Sequence, residues 1–114
     1  MIISITAEFA DADAAVDTRF GRAACFVLFN DSNDAVAFVS NSSANSSQSG
    51  AGPRAVKLLL KHNVSILITG NGPGEYVRGI LEKAGITVYT GAGGYSVREA
   101  LKARENGTLT ELRY

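Results

Sequence analysis

Two arginines and three glycine-rich segments are the residues of this chain whose types and spacing could do chemistry. Gly70-Asn71-Gly72-Pro73-Gly74 follows an apolar run, Val64-Ser65-Ile66-Leu67-Ile68-Thr69, and precedes an amphipathic stretch from Glu75 to Lys83. That order reads strand, turn, helix. Glycines let a backbone approach a ligand closely, and the unpaired N–H groups of a helix start attract anions. Gly50-Ala51-Gly52-Pro53-Arg54 repeats the arrangement before another helical pattern, and Gly91-Ala92-Gly93-Gly94 forms a third glycine-rich turn. Arg54 falls in a first helical turn, where a cation opposes the helix dipole. A bound anion would offset that; so would simple exposure to water. Thr18-Arg19-Phe20-Gly21-Arg22-Ala23 sets two guanidinium groups around an aromatic and a glycine. Guanidinium is always charged and offers five donors. It can serve an anion, or it can pair with a nearby acid such as Asp17. Both readings stand on sequence alone.

Several more specific chemistries fail. The 70–74 turn does not follow GxGxxG, because Glu75 occupies the third glycine's place. It also sits on the fourth strand pattern, and no acid for a ribose ends the fifth, where Tyr89 and Thr90 stand. No Lys-Ser/Thr pair follows it, so it is not a P-loop. His62, the only histidine, falls in a last helical turn, where the dipole favours a cation. Cys25, the only cysteine, opens an apolar run and reads as a small core residue. One Cys and one His supply no zinc or iron–sulfur ligand set. Asp11, Asp13 and Asp17 lack the glycine and closing Glu of an EF-hand and read as solvated. No catalytic triad or apposed carboxylate pair can be assembled, so no catalytic residue and no protein metal ligand is assigned.

The elements that must position these segments follow from periodicity. Ile2–Ala7, Cys25–Asn30 and Ala35–Ser40 read as strands. Asp31-Ser32-Asn33-Asp34 is turn chemistry that makes a hairpin of the second and third. The Ser/Asn-rich segment 41–52 resembles a linker in composition. In a chain of this length it reads instead as a long functional loop, mobile when empty. Pro53 suits a helix's first turn, and Ala55, Val56, Leu59 and Leu60 recur at helical spacing. Gly85 reads as the C-cap of the next helix. Ile86–Tyr89 reads as a fifth strand. Ser96 with Glu99 has capping-box spacing before a last helix, Val97 to Arg104. The string β-β-β-α-β-α-β-α predicts an α/β fold: one domain over residues 1–114, with a mixed five-stranded sheet and three helices. Its first three strands form an antiparallel meander and its last two are parallel neighbours. The glycine turns after the fourth and fifth strands then share the strands' C-terminal edge, where open α/β sheets bind ligands.

The 114 residues are 46% hydrophobic and carry eleven basic and eleven acidic groups. That balance argues against a general nucleic-acid binder. The N-terminal segment lacks the pattern of a signal peptide and no run is long enough to span a bilayer. The expectation is a cytoplasmic protein without a nucleic-acid or membrane partner.

In order along the chain, Arg19-Phe20-Gly21-Arg22-Ala23, Asn41, Gly50-Ala51-Gly52, the loop 70–74, Ala84-Gly85-Ile86, Val88-Tyr89, Ala100-Leu101, Asn106-Gly107 and Leu109 together resemble the dinitrogenase iron–molybdenum cofactor biosynthesis family. The resemblance runs from Ile2 to about Leu112. It implies a ribonuclease H-like sheet of order 3-2-1-4-5. It further implies a non-catalytic carrier of an anionic metal–sulfide cluster, of iron–molybdenum type or of the molybdenum–copper type held non-covalently in the family's orange protein branch. Donor and acceptor proteins for the cluster would be its partners. The cofactor-binding residues it points to are Arg19, Phe20, Gly21, Arg22, Asn41, Gly50, Gly52, Asn71, Gly72, Gly74, Gly91 and Gly93. The loop before the first helix carries no histidine, so no imidazole ligand is implied there. Two other classes remain: a ribonuclease H-like hydrolase or phosphotransferase, for which Glu8 is the acid nearest the first strand, and an interaction module without cofactor.

Overall fold

A computed structural model describes residues 1–41 and 50–112; most of the predicted 41–52 loop therefore lies outside the described residues. The elements in chain order are β1 (Ile2–Ala7), β2 (Cys25–Asn30), β3 (Ala35–Ser40), α1 (Ala51–Lys61), β4 (Val64–Ile68), α2 (Glu75–Lys83), β5 (Thr87–Thr90), α3 (Val97–Glu105) and β6 (Thr110–Glu111). They form one mixed sheet of order β3-β2-β1-β4-β5-β6. β1 pairs antiparallel with β2 and parallel with β4; β4 and β5 are parallel. The meander and the parallel pair are as expected. The sheet has six strands, however, not five. Gly107, at φ 74°, turns the chain back after α3, and Leu112 N–H donates to Val88 O at 2.8 Å. Two residues of β6 then pair antiparallel with Tyr89 and Thr90. A strand that short has no periodicity to read.

β1 divides the core. Its odd residues Ile3, Ile5 and Ala7 join Val27, Ile66, Ile68, Val97 and Ala100 on the α3 face. Period-two alternation turns Ser4 and Thr6 to the other face, where Phe26, Leu28 and Leu67 pack with Val56 and Leu59 of α1 and Leu81 of α2. The helix ends are local sequence effects. Gly85 N–H donates to Glu82 O and Ile86 N–H to Leu81 O, both 3.0 Å. This is a Schellman motif, and it needs the left-handed φ of 77° that glycine adopts without strain. The same pattern ends α3, through Gly107 to Arg104 O and Thr108 to Ala103 O. α3 opens with the expected capping box: Glu99 N–H donates to Ser96 Oγ and Ser96 N–H to Glu99 Oε1. No helix among the described residues is long and apolar enough to cross a membrane.

Candidate functional site: a cleft at two open helix starts

Parallel pairing of β1, β4 and β5 brings the loops at their carboxyl ends to one edge of the sheet. The segment after β1 returns to that edge at Asp17. Asp17 N–H donates to Thr6 O at 2.9 Å. The Thr6 hydroxyl donates to Asp17 O at 2.7 Å and lies 3.0 Å from the Thr69 hydroxyl. The next residues lie along the 70–74 turn, where Gly70 N–H reaches Asp17 O and Asn71 N–H reaches Thr18 O. The approach is close enough to require glycine: a Cβ on Gly70 would stand 2.7 Å from Thr18 Cα. In the arginine segment, a Cβ on Gly21 would stand 2.9 Å from Gly52 N in the first turn of α1. The arginine segment is thus clamped between two glycine-rich segments that are far away in sequence.

The result is a cleft of about 350 Å³ at this edge, lined by the 18–22 segment, Ala51 and Gly52 of α1, the 71–74 turn and Val77 of α2. Arg19, Phe20, Gly21, Arg22, Gly52, Asn71, Gly72 and Gly74 all line it. The other four predicted residues stand elsewhere. Asn41 is buried, and its amide donates to Gly21 O at 3.0 Å and Ala23 O at 2.9 Å. It fastens the arginine segment from behind. Gly50 is the N-cap of α1, with φ 96°. Gly91 N–H donates to Gly70 O, and Gly93 backs onto Thr18. Phe20 is 5% exposed and its ring meets Phe26 at 5.8 Å, so it floors the cleft from the core.

The helix starts differ in what they offer. α2 begins at N-cap Gly74, and its first intrahelical bond is Arg78 N–H to Gly74 O. The N–H groups of Glu75, Tyr76 and Val77 therefore have no intrahelical acceptor. α1 begins likewise at Gly50, and its first bond is Arg54 N–H to Gly50 O; Ala51 and Gly52 are in the same position, while Pro53 has no N–H. Neither glycine cap has a side chain with which to close the helix. α3 is closed: besides the capping box, Val97 and Arg98 N–H donate to Ala14 and Ala12 carbonyls. The sequence offered three glycine-rich turns ahead of helices, the third of them with a Ser96–Glu99 capping box. Two open onto the cleft and the third is sealed, because Ser96 rather than a glycine holds its N-cap.

The electrostatics turn on Asp17, expected to be solvated but only 5% exposed. Its carboxylate accepts from Arg19 N at 2.9 Å and from Arg19 Nε and Nη2 at 3.2 Å each. The hydrogen bonds to Asp17 raise the Arg19 pKa above its ordinary value. Of the two readings left open for Arg19, the ion pair forms. It takes two of the guanidinium's five donors and leaves the side chain 63% exposed at the cleft. Thr6 and Thr69 were not selected from sequence, and Asp17 was named only as a possible partner for an arginine. The only local signal was the two-residue spacing of Asp17 and Arg19, which suits a side-chain-to-backbone turn. Asp11 and Asp13 lie on the surface; Asp13 pairs with Arg98 at 3.0 Å.

Cys25 is buried at the start of β2, beside the α3-face core. Burial, and secondarily Asp17, push its thiol pKa up. His62 is the C-cap of α1, at the opposite end of the sheet near Ile2 and Asn30. The two cannot meet. Among the described residues, no group of three or more His, Cys, Asp or Glu could hold a metal ion.

The model for the family described as "dinitrogenase iron-molybdenum cofactor" matches residues 1–107. The chain belongs to the dinitrogenase iron–molybdenum cofactor family. Its solved relatives include the apo form of the orange protein from Desulfovibrio gigas, at 36% identity and a TM-score of 0.90, covering 97% of this chain and 92% of that one. A NifB-like protein from Thermotoga has 31% identity and a TM-score of 0.82, over the same shares of the two chains. No curated protein sequence matches the chain. Membership of the family supports a cofactor-related binding or carrier role.

Proposed function

We propose that this protein is a non-catalytic carrier that holds an anionic metal–sulfide cluster in the cleft. The observation that carries the reading is the convergence of two glycine-capped helix starts and the Arg19–Arg22 segment on one concave surface. A thiometallate is an anion whose sulfides accept hydrogen bonds. Main-chain N–H groups, helix dipoles and guanidinium donors suit it without any protein thiolate. The chain's likeness to the orange protein favours a molybdenum–copper cluster; the family's description favours one of iron–molybdenum type. Non-catalytic holding also fits Asp17, the buried carboxylate beside the cleft, because Arg19 occupies both of its oxygens. In this reading the fold is ribonuclease H-like, the protein works in the cytoplasm, and donor and acceptor proteins load and unload the cluster.

The test is to titrate the protein with tetrathiomolybdate and copper, then pass it through a desalting column. Visible absorption that elutes with the protein, at fixed molybdenum and copper content, is expected. Changing both Arg19 and Arg22 to Ala should weaken retention at least about tenfold, equivalent to about 1.4 kcal/mol. A folded wild-type protein that elutes colourless under these conditions overturns the proposal.

A further inference from the structure

The two edges of the sheet are built differently. β6 is two residues long and ends in Glu111, a short charged edge of the kind that resists further pairing. Among the described residues, β3 has none of the usual protections. Its six residues, Ala35-Val36-Ala37-Phe38-Val39-Ser40, contain no charge and no proline. Its register with β2 runs unbroken over all six, so no bulge twists it away. Among the described residues no strand pairs with its outer side. Val36 and Phe38 lie opposite Phe29 and Val27, on the α3 face. They extend that apolar face outward and stay 48% and 47% exposed.

We propose that β3 is the seam of a two-fold dimer: two copies pair antiparallel along this strand and join their sheets into one. The sequence favours a second copy of this chain because the strand is complementary to itself. A two-fold axis at Ala37 sets Ala37 against its own symmetry mate. Val36 then faces Phe38 of the partner, and Phe38 the partner's Val36, the aromatic–β-branched pairing that stabilises neighbouring strands. Ala35 falls opposite Val39. Asp34 falls opposite Ser40, so no like charges meet. An axis at Phe38 would instead set Val36 against Ser40 and leave it less covered. The interface uses up both copies of the edge, so assembly closes at two. One six-residue seam buries less than the roughly 800 Å² per partner of a standard interface, so the dimer is weak and concentration-dependent.

The geometry also separates the dimer from the cleft. The cleft lies at the end of the sheet where β3 finishes, next to Asn41. In an antiparallel pair those ends point in opposite directions. The two clefts are therefore far apart, and neither copy completes the other's site.

Sedimentation equilibrium from about 10 μM to about 1 mM tests this, the range in which a weak pair dissociates. The wild type should shift from monomer to dimer and stop there. Ala37 is exposed, so Ala37→Lys and Ala37→Glu should each fold normally, shown by an unchanged urea midpoint. Each should weaken self-association at least about tenfold by setting like charges face to face, and an equimolar mixture of the two should associate again. Thiomolybdate–copper uptake per chain should be unchanged in both, whether or not the carrier reading holds. A wild type that is monomeric throughout overturns the proposal. So does a dimer that neither substitution weakens, or an assembly that grows beyond two.

Discussion

Replacing Gly21 by Ala adds one methyl group where the structure has no room for it. The new Cβ would stand 2.9 Å from Gly52 N, 3.0 Å from Gly52 Cα and 3.2 Å from the Ala51 carbonyl carbon. Carbon contacts settle at about 3.5–4.0 Å, so the arginine segment and the start of α1 must part by roughly 0.5 Å. Neither side yields easily. Gly52 is itself pressed on Val77, since its own Cβ would come 2.5 Å from Val77 Cγ2. The segment opposite is held by Asn41 and by the 70–74 turn. Overpacking of this kind costs about 1–3 kcal/mol. At about 4 °C per kcal/mol for a domain of this size, the melting midpoint should fall by roughly 4–12 °C. The same substitution at Gly79, inside α2, is the control. A Cβ there meets nothing within 4 Å, so Gly79→Ala should gain about 0.5–1 kcal/mol from helix propensity. Calorimetry of the two variants should therefore give shifts of opposite sign. Gly21→Ala should also retain less thiomolybdate–copper colour at temperatures where it is fully folded. An unchanged midpoint for Gly21→Ala would refute the packing of the arginine segment against α1.

Three further outcomes can be checked by urea denaturation. Ser96→Ala removes the capping box of α3 and should cost about 1 kcal/mol; a loss below about 0.3 kcal/mol would mean that the Ala12 and Ala14 carbonyls suffice to hold the helix start. Ser4 is fully buried and its hydroxyl has no hydrogen-bond partner among the described residues, so Ser4→Ala should be neutral or up to about 1 kcal/mol stabilising, whereas a marked loss would reveal a partner for it. Burial raises the Cys25 thiol pKa in the folded state, so the neutral thiol is favoured there. That contribution is fully present below the unfolded thiol's pKa of about 8.5 and is lost as pH rises through the higher folded value. Stability should then fall more steeply from pH 7 to pH 10 in the wild type than in Cys25→Ala; parallel curves would contradict it.

Local signals were legible wherever one residue type has one use. Ser96 with Glu99, Gly85 after Ala84 and the Asp31–Asp34 turn all act within a few residues. Apolar periodicity was sufficient for five strands and three helices. The sixth strand could not be read that way, because two residues such as Thr110 and Glu111 have no period, and their pairing depends on where β5 already lies.

The sequence by itself determined that the glycine turns after the fourth and fifth strands would meet at the carboxyl edge of an α/β sheet, while the arginines were assigned to the same site only by the family resemblance. Crossovers through helices make β1, β4 and β5 parallel, and parallel strands gather their carboxyl-terminal loops at one end. Only the tertiary structure decided which of these groups line the cleft. Asn41, Gly91 and Gly93 turned inward to fasten the segments. Asp17 became buried and took hold of Arg19. The Ala12 and Ala14 carbonyls completed the sealing of α3, while α1 and α2 stayed open. Each outcome depends on how closely backbones distant in sequence approach one another: 2.9 Å from a Gly21 Cβ to Gly52 N, 2.7 Å from a Gly70 Cβ to Thr18 Cα. Distances of that kind are set by the packed whole and are not written in any short stretch of residues.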